Sequence, residues 1–250
     1  MSSKRLKRIT NEIKELNDSE KILEENGIYF YYNEENISIL YAMLYGQEKT
    51  PYEKGFYFFK IEYPSNYPME PPIVKYYTQG YLKNPLSSTT FNVRFNPNLY
   101  TCGKVCLSML NTWAGPGWVP TNTVSNVLIA IQAIVLNEKP LNNEPGFEYA
   151  NESVINKYSD LIMYANIKIG VLEMIMNTPI DFKFFNNKMK ELFIKNIEYY
   201  RNMVIQNDEK FKDCMIESPA YGMKCYIQYD SLLFSINKLE ENITAIKLEK

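Results

Sequence analysis

Histidine is absent from all 250 residues of the chain. The commonest general base and the commonest metal ligand are therefore missing from any mechanism. A catalytic triad built on Ser-His or Cys-His is excluded. Any nucleophile must be activated by other groups, or must attack a partner that is already electrophilic.

Strong net charge and long apolar runs are absent as well. The net charge of -2 gives no general attraction to nucleic acid or to an acidic membrane surface. No apolar run reaches the roughly 18 residues that a membrane span needs. The charged N-terminus also lacks the apolar core of a signal peptide. We therefore expect a cytoplasmic or nuclear protein, with no nucleic acid and no membrane among its partners.

Cysteine is rare, with only Cys102, Cys106, Cys214 and Cys225. Disulfides are not expected in a chain of this size without a secretion signal. The C-x3-C spacing of Cys102 and Cys106 falls within the range of zinc ligands. Because the other two cysteines make no typical second pair and histidine is missing, we predict no metal site.

Hydrophobic periodicity predicts a mixed α+β fold. The chain opens with an amphipathic helix, followed by strand-like segments at residues 27–32, 37–44, 55–63 and 73–77, whose spacing favours antiparallel hairpins. Four prolines within residues 64–72 form a stiff corner before the fourth strand. Residues 85–118 are irregular, and a buried helix begins near Thr123 and ends before Asn137.

The predicted secondary structure changes after Glu148, from mixed strands and helices to helices. Long helical patterns extend over residues 152–176, 181–206 and 230–248, broken by Pro179 and by Pro219 with Gly222. We predict two units: a core domain of residues 1–155 and a helical C-terminal extension of residues 156–250 that packs on it.

The segment RFNPNLYTCGKVCLSML, residues 94–110, contains the most informative motif. Asn96, Pro97 and Asn98 are followed by Gly103 and by Cys106, eight residues after Asn98. This motif resembles the active-site signature of ubiquitin-conjugating enzymes, in which His-Pro-Asn precedes the catalytic cysteine at that distance. The upstream YPSNYPMEPP block is similar to the family's proline-rich corner.

Two further blocks resemble the large Z-type branch of that family, namely TWAGPGW at residues 112–118 and NEPGFE at residues 143–148. The resemblance implies an N-terminal helix, a four-stranded antiparallel meander, an active-site loop, a core helix and a C-terminal extension. The family's usual histidine is Asn96 here. An asparagine amide can donate and accept hydrogen bonds in the same structural role.

The resemblance also implies a mechanism. Cys106 would carry ubiquitin or a ubiquitin-like modifier as a thioester, received from an activating enzyme and passed to a substrate lysine with the help of a ligase. Asn98 would stabilise the oxyanion. Glu144 is the best candidate for orienting the lysine, Glu138 a weaker one, and Asn143 would shape the loop. This chain needs no cofactor, since the activating enzyme uses the ATP.

Partner surfaces are implied in the same way. The basic residues of the first helix would dock on the activating enzyme, and an apolar contact would meet the ligase. The first set is Lys4, Arg5, Lys7 and Arg8; the second is Met69, Val119 and Pro120. On composition alone, the first set is an ordinary solvated face and the second is loop packing.

Two alternatives remain at this point. The chain could be a catalytically silent module of the same fold that binds ubiquitin or a ligase, or a cysteine peptidase acting on a modifier's C-terminus. The absence of histidine argues against the peptidase. The carrier hypothesis requires that the Cys106 sulfur be reachable and that the Asn98 amide lie close to it. A cysteine deep in the interior would instead be the ordinary structural kind.

Overall fold

The computed structural model describes residues 3–84, 86, 89–212 and 214–248. Helices α1 (Ser3–Asp18) and α2 (Glu20–Glu25) are followed by four consecutive strands: β1 (Ile28–Asn33), β2 (Asn36–Tyr45), β3 (Phe56–Glu62) and β4 (Ile73–Tyr76). Each strand pairs antiparallel with the next. The predicted α+β fold with a four-stranded meander is therefore confirmed.

A short hairpin that the sequence did not predict is formed by β5 (Tyr81–Lys83) and β6 (Thr90–Asn92), and its second strand lies within the irregular segment. Helix α3 (Val124–Ala130) follows and continues as a π-helical turn over Ile131–Val135. The Thr123 side chain accepts a hydrogen bond from the Asn126 N–H, and the Asn126 Oδ1 accepts one from the Thr123 N–H. This reciprocal capping box fixes the start of the buried helix where the sequence places it.

The C-terminal half is helical with one exception. Helix α4 (Glu152–Ala165) continues as a π-helix over Asn166–Glu173 into α5 (Met174–Met176). After a 3-10 helix at Ile180–Phe185, the remaining helices are α6 (Asn186–Lys195), α7 (Ile197–Phe211) and α8 (Tyr229–Leu248). Between α7 and α8 the chain forms the hairpin of β7 (Met215–Glu217) and β8 (Lys224–Tyr226). The predicted break at Pro219 and Gly222 is the turn of this hairpin.

Strand β3 lies between two packed layers. Successive side chains of a strand point to opposite faces of the sheet. Tyr57 meets the Phe95 ring, with ring centroids 5.7 Å apart, while Phe58 stacks on Phe182 of the C-terminal half at 4.8 Å. All three phenylalanines and Tyr57 are fully buried. One face of the sheet therefore supports the active-site segment, and the other is covered by the C-terminal half.

The predicted division at residue 155 falls within α4, and stays a prediction. A single cluster of buried apolar side chains includes residues from α1 to α8. Within the described part of the chain, no helix is both long enough and apolar enough to cross a bilayer.

Candidate active site

Residues 95–106 form a narrow irregular hairpin. Its two sides are joined by backbone hydrogen bonds, among them Cys106 N–H to Asn98 O at 2.8 Å and Tyr100 N–H to Lys104 O at 2.9 Å. Gly103 has a φ of 92°, and a Cβ there would approach the backbone oxygen of Tyr76 to 2.9 Å. Glycine is therefore required at the point where the hairpin meets strand β4.

Asn96 is fully buried and makes hydrogen bonds in four directions. Its Nδ2 donates to the Tyr52 hydroxyl at 3.0 Å and to the Val135 carbonyl at 2.6 Å. Its Oδ1 accepts from the Asn98 N–H at 2.8 Å and, more weakly, from Asn143 Nδ2 at 3.5 Å. These bonds connect the hairpin to the end of the core helix, and they agree with the structural role expected for Asn96.

The Asn98 side chain lies beside Cys106. Its Nδ2 donates to the backbone carbonyl of Cys106 at 2.7 Å, and the residue is 7% exposed. The Oδ1 atom is buried and has no hydrogen-bond partner among the described residues. The structure thus brings Asn98 and Cys106 together, with the amide directed at the backbone rather than at the sulfur.

Cys106 is only 1% exposed, which departs from the expected reachable sulfur. Its neighbours Val105 and Leu107 are buried as well. Cys225 is buried to a similar extent, and burial raises the pKa of its thiol to about 12. The structure therefore covers the Cys106 sulfur, and the expectation of a reachable sulfur is not met in this conformation of the chain.

The loop that follows the core helix carries Asn143 and Glu144 and lies beside the active-site hairpin. Asn143 Nδ2 donates to the Ile134 carbonyl at 2.9 Å and contacts Asn96, so the loop lies against the Asn96 side of the hairpin. Glu144, the next residue, is half-buried and accepts a hydrogen bond from the Tyr221 hydroxyl. Glu138 is exposed.

Three residues that the sequence analysis did not identify support the site. Tyr52 donates to the Phe95 carbonyl at 2.8 Å and accepts from Asn96. Arg94 donates to the carbonyls of Asn96 and Pro97, and Tyr221 reaches Glu144 from the β7–β8 turn. Tyr52 and Tyr221 are remote from the motif in sequence, so the spacing of the motif residues could not indicate that they lie at the site.

The prediction that Arg5 lies on the outer face of α1 is wrong. Arg5 is 7% exposed, and its guanidinium donates to the backbone carbonyls of Tyr63 at 2.5 Å and Pro64 at 2.7 Å. It therefore anchors α1 to the proline-rich corner. Leu6, the next residue of α1, is 42% exposed although it is apolar.

The other basic residues of α1 are more accessible. Lys4 and Lys7 are exposed, while Arg8 is half-buried. Arg8 pairs with Glu12 at 2.5 Å and donates to the Asn122 carbonyl at 2.6 Å. Of the four basic residues predicted to dock on the activating enzyme, Lys4 and Lys7 are therefore the ones that the structure leaves exposed.

The residues assigned to an apolar contact lie on two connected loops. Met69 is 73% and Val119 is 49% exposed, and Pro120 is also exposed. The indole N–H of Trp118 donates to the Pro68 carbonyl at 2.7 Å, which joins the two loops. Trp118 is buried, whereas Trp113 is exposed.

Among the residues that the structure describes, no group of three or more Cys, Asp or Glu side chains is arranged to hold a metal ion.

Comparison with known proteins agrees with this architecture. The family model described as ubiquitin-conjugating enzyme matches residues 8–165, which is more than half of the chain. The chain is 32% identical to ubiquitin-conjugating enzyme E2 Z of Xenopus tropicalis over 218 residues, covering 87% of this chain and 66% of that protein. The human protein of the same name is 31% identical over 218 residues, covering 87% of this chain and 58% of that protein.

A plant protein is similar over a shorter part. Putative ubiquitin-conjugating enzyme E2 38 of Arabidopsis thaliana is 39% identical over 176 residues, covering 66% of this chain and 50% of that protein. The chain thus spans between half and two thirds of the length of these relatives. The family match and the meander with its motif-bearing hairpin lead to one assignment: the chain belongs to the ubiquitin-conjugating enzyme family.

Proposed function

We propose that this chain accepts ubiquitin or a ubiquitin-like modifier from an activating enzyme as a thioester on Cys106 and transfers it to a lysine. The observation that carries the proposal is the pairing of Cys106 with Asn98, eight residues apart in sequence and joined by two hydrogen bonds in space.

In the loading step, the Cys106 thiol gives up its proton and its sulfur attacks the thioester carbonyl on the activating enzyme. The resulting tetrahedral oxyanion collapses, the old carbon–sulfur bond breaks, and the activating enzyme's thiolate leaves and takes up a proton. In the transfer step, the lysine amine attacks the carbonyl and loses a proton, a carbon–nitrogen bond forms, and Cys106 leaves as thiolate. Thiolate is a good leaving group, so no cofactor is needed on this chain.

Both steps pass through a tetrahedral oxyanion. The Asn98 amide group carries two hydrogens, of which one is directed to the Cys106 carbonyl. A donor held this close to the nucleophile is suited to the developing negative charge, and removing such a donor costs about 100- to 1000-fold in rate. Because Cys106 is 1% exposed, loading requires the segment that covers it to open locally.

The carboxylate of Glu144 is our candidate for orienting the incoming lysine and helping it to lose its proton. It lies next to Asn143, which contacts Asn96 of the active-site hairpin. We further propose that Lys4 and Lys7 dock on the activating enzyme, and that Met69, Val119 and Pro120 contact the ligase.

The test is a loading assay with activating enzyme, ATP and modifier, followed by non-reducing electrophoresis. The wild-type chain should form an adduct that a thiol reductant removes. Cys106→Ser should form a reductant-resistant oxyester, and Cys106→Ala should form none. Cys102→Ala and Cys214→Ala are matched controls and should load normally. An adduct on Cys106→Ala would disprove the proposal.

The burial of Cys106 favours one other function, that of a silent module that binds a modifier or a ligase through the same fold. This alternative predicts measurable binding of modifier to the purified chain. It also predicts no thioester with any of several activating enzymes.

A further inference from the structure

The turn of the β7–β8 hairpin reaches from the C-terminal half to the active-site hairpin. The turn is closed by a hydrogen bond from the Ser218 N–H to the Met223 carbonyl at 2.8 Å. The backbone N–H of Arg94, two residues before Asn96, donates to the Met223 sulfur at 3.3 Å. The tip of this turn therefore lies against the segment that carries the conjugating-enzyme motif.

Tyr221, at the tip, has an unusual backbone. Its φ is 64°, in the left-handed region that residues other than glycine and asparagine rarely adopt, and Gly222 follows with a φ of 61°. Lys49, Lys54 and Asn111 share this conformation. Strained residues are enriched at functional sites, so the contacts of the Tyr221 side chain are what bear on its role.

The Tyr221 side chain makes two kinds of contact. Its hydroxyl donates to the Glu144 carboxylate, and its ring lies 4.8 Å from the Arg94 guanidinium carbon. The ring also meets Tyr158 edge-on, with centroids 6.4 Å apart. Burial raises the pKa of Tyr221 above its ordinary value, and the bond to Glu144 raises it further, so the hydroxyl remains a donor at neutral pH.

Arg94 connects the Tyr221 ring to the active-site hairpin. Its guanidinium carbon lies 3.6 Å from the Tyr100 ring centroid and 4.8 Å from the Tyr221 ring centroid. It donates to the Pro97 carbonyl at 2.6 Å and to the Asn96 carbonyl at 3.2 Å. One side chain of the C-terminal half thus touches both segments of the candidate site, through Arg94 on one side and Glu144 on the other.

We propose that Tyr221 is a positioning residue for transfer, holding the Glu144 carboxylate in the place where it receives the substrate lysine. The inference rests on the proposed function and assigns the C-terminal half a role in the second step. Tyr221 takes no part in bond making. It fixes the group toward which the amine is directed as the amine loses its proton and displaces Cys106.

The experiment separates loading from discharge. Cys106 is first loaded, ATP is then removed, and release of the modifier is followed over a series of free-lysine concentrations. Tyr221→Phe keeps the ring beside Arg94 and removes only the hydroxyl. It should load at the wild-type rate and discharge about 10-fold more slowly, the size expected for one lost charge-assisted hydrogen bond. Tyr226→Phe, on β8 of the same hairpin and 48% exposed, is the matched control and should discharge normally.

A double-mutant cycle identifies the route of the effect. If Tyr221 acts through Glu144, discharge by Tyr221→Phe combined with Glu144→Ala should be no slower than by Glu144→Ala alone. A purely structural contribution of the hydroxyl would instead slow both backgrounds by the same factor.

Several results would overturn the inference. Discharge by Tyr221→Phe at the wild-type rate would do so, as would a double variant that discharges more slowly than Glu144→Ala by the same factor that separates Tyr221→Phe from wild type. Loss of loading by Tyr221→Phe would also overturn it, because the residue would then be structural. If the wild-type chain forms no adduct on Cys106, the proposed function fails first and this inference fails with it.

Discussion

Asn96 shows how a single buried amide can organise the candidate site. Its two donors and its acceptor are all used, by Tyr52, Val135 and the Asn98 N–H. We predict that Asn96→Ala lowers the free energy of unfolding by about 3 kcal/mol, since buried polar groups lose their partners. Asn96→Asp, of equal size, should be at least as damaging, because a carboxylate oxygen would face the Val135 carbonyl. Urea denaturation measures both, and a loss below about 0.5 kcal/mol in either variant would contradict this role.

The four cysteines should differ in reactivity. Cys102 and Cys214 are exposed and Cys106 and Cys225 are buried. Because thiolate is the reacting form, the raised pKa of Cys225, about 12, makes it the slowest to alkylate at pH 8. We predict that iodoacetamide labels Cys102 and Cys214 first, Cys106 next and Cys225 last, as followed by peptide mass spectrometry. In denaturant all four should react alike. Labelling of native Cys106 as fast as Cys102 would show that its cover is already open.

The motif predicted which side chains meet but not how they are oriented. The spacing of Asn98 and Cys106 placed them together, and the hydrogen bonds of Asn96 agree with its expected structural role. The orientation of the Asn98 amide toward a backbone carbonyl depends on the fold of the whole hairpin. Arg5 was misassigned because its partners are carbonyls of the proline-rich corner, which no helical periodicity reveals.

Glu12 joins three elements. Its buried carboxylate accepts from Arg8 at 2.5 Å, from the Val124 N–H at the start of α3 at 3.0 Å, and from the Tyr67 hydroxyl of the proline-rich corner. We predict that Glu12→Ala lowers the free energy of unfolding by about 3 kcal/mol, because it removes the common partner of all three groups. Glu15→Ala, at an exposed position of α1, should change it by less than about 0.5 kcal/mol. Equal effects in the two variants would rule out this connecting role.

Element boundaries were predictable where a run of strand-forming residues is bounded by turn-forming ones. The four predicted strands end within a residue or two of β1 to β4, because each run is rich in strand-forming residues and the joints between them are turn-like or proline-rich. The hairpins β5–β6 and β7–β8 were missed because each strand has only three residues, too few to display a period. Their existence depends on contacts with other parts of the chain, such as the approach of the β7–β8 turn to Arg94.

The whole molecule shares one core, and this has a consequence for its unfolding. Phe182, from the C-terminal half, is fully buried on the sheet against Phe58, Tyr41 and Tyr77. Both tryptophans of the chain lie in the N-terminal half, at residues 113 and 118. Tryptophan fluorescence therefore reports on the unfolding of one half only, and a substitution in the other half tests whether the two unfold together.

We predict that Phe182→Ala shifts the unfolding transition detected by tryptophan fluorescence, and lowers the free energy of unfolding by about 4 kcal/mol. The shift should coincide with the one detected by far-UV circular dichroism, because removal of the ring uncovers the sheet that both halves share. Phe234→Ala, on α8 and 70% exposed, is the matched control and should leave the transition in place. If Phe182→Ala lowered the helical signal while the fluorescence transition stayed unchanged, the two halves would be independent domains. The C-terminal half would then have no stable platform from which to hold Tyr221 against Glu144.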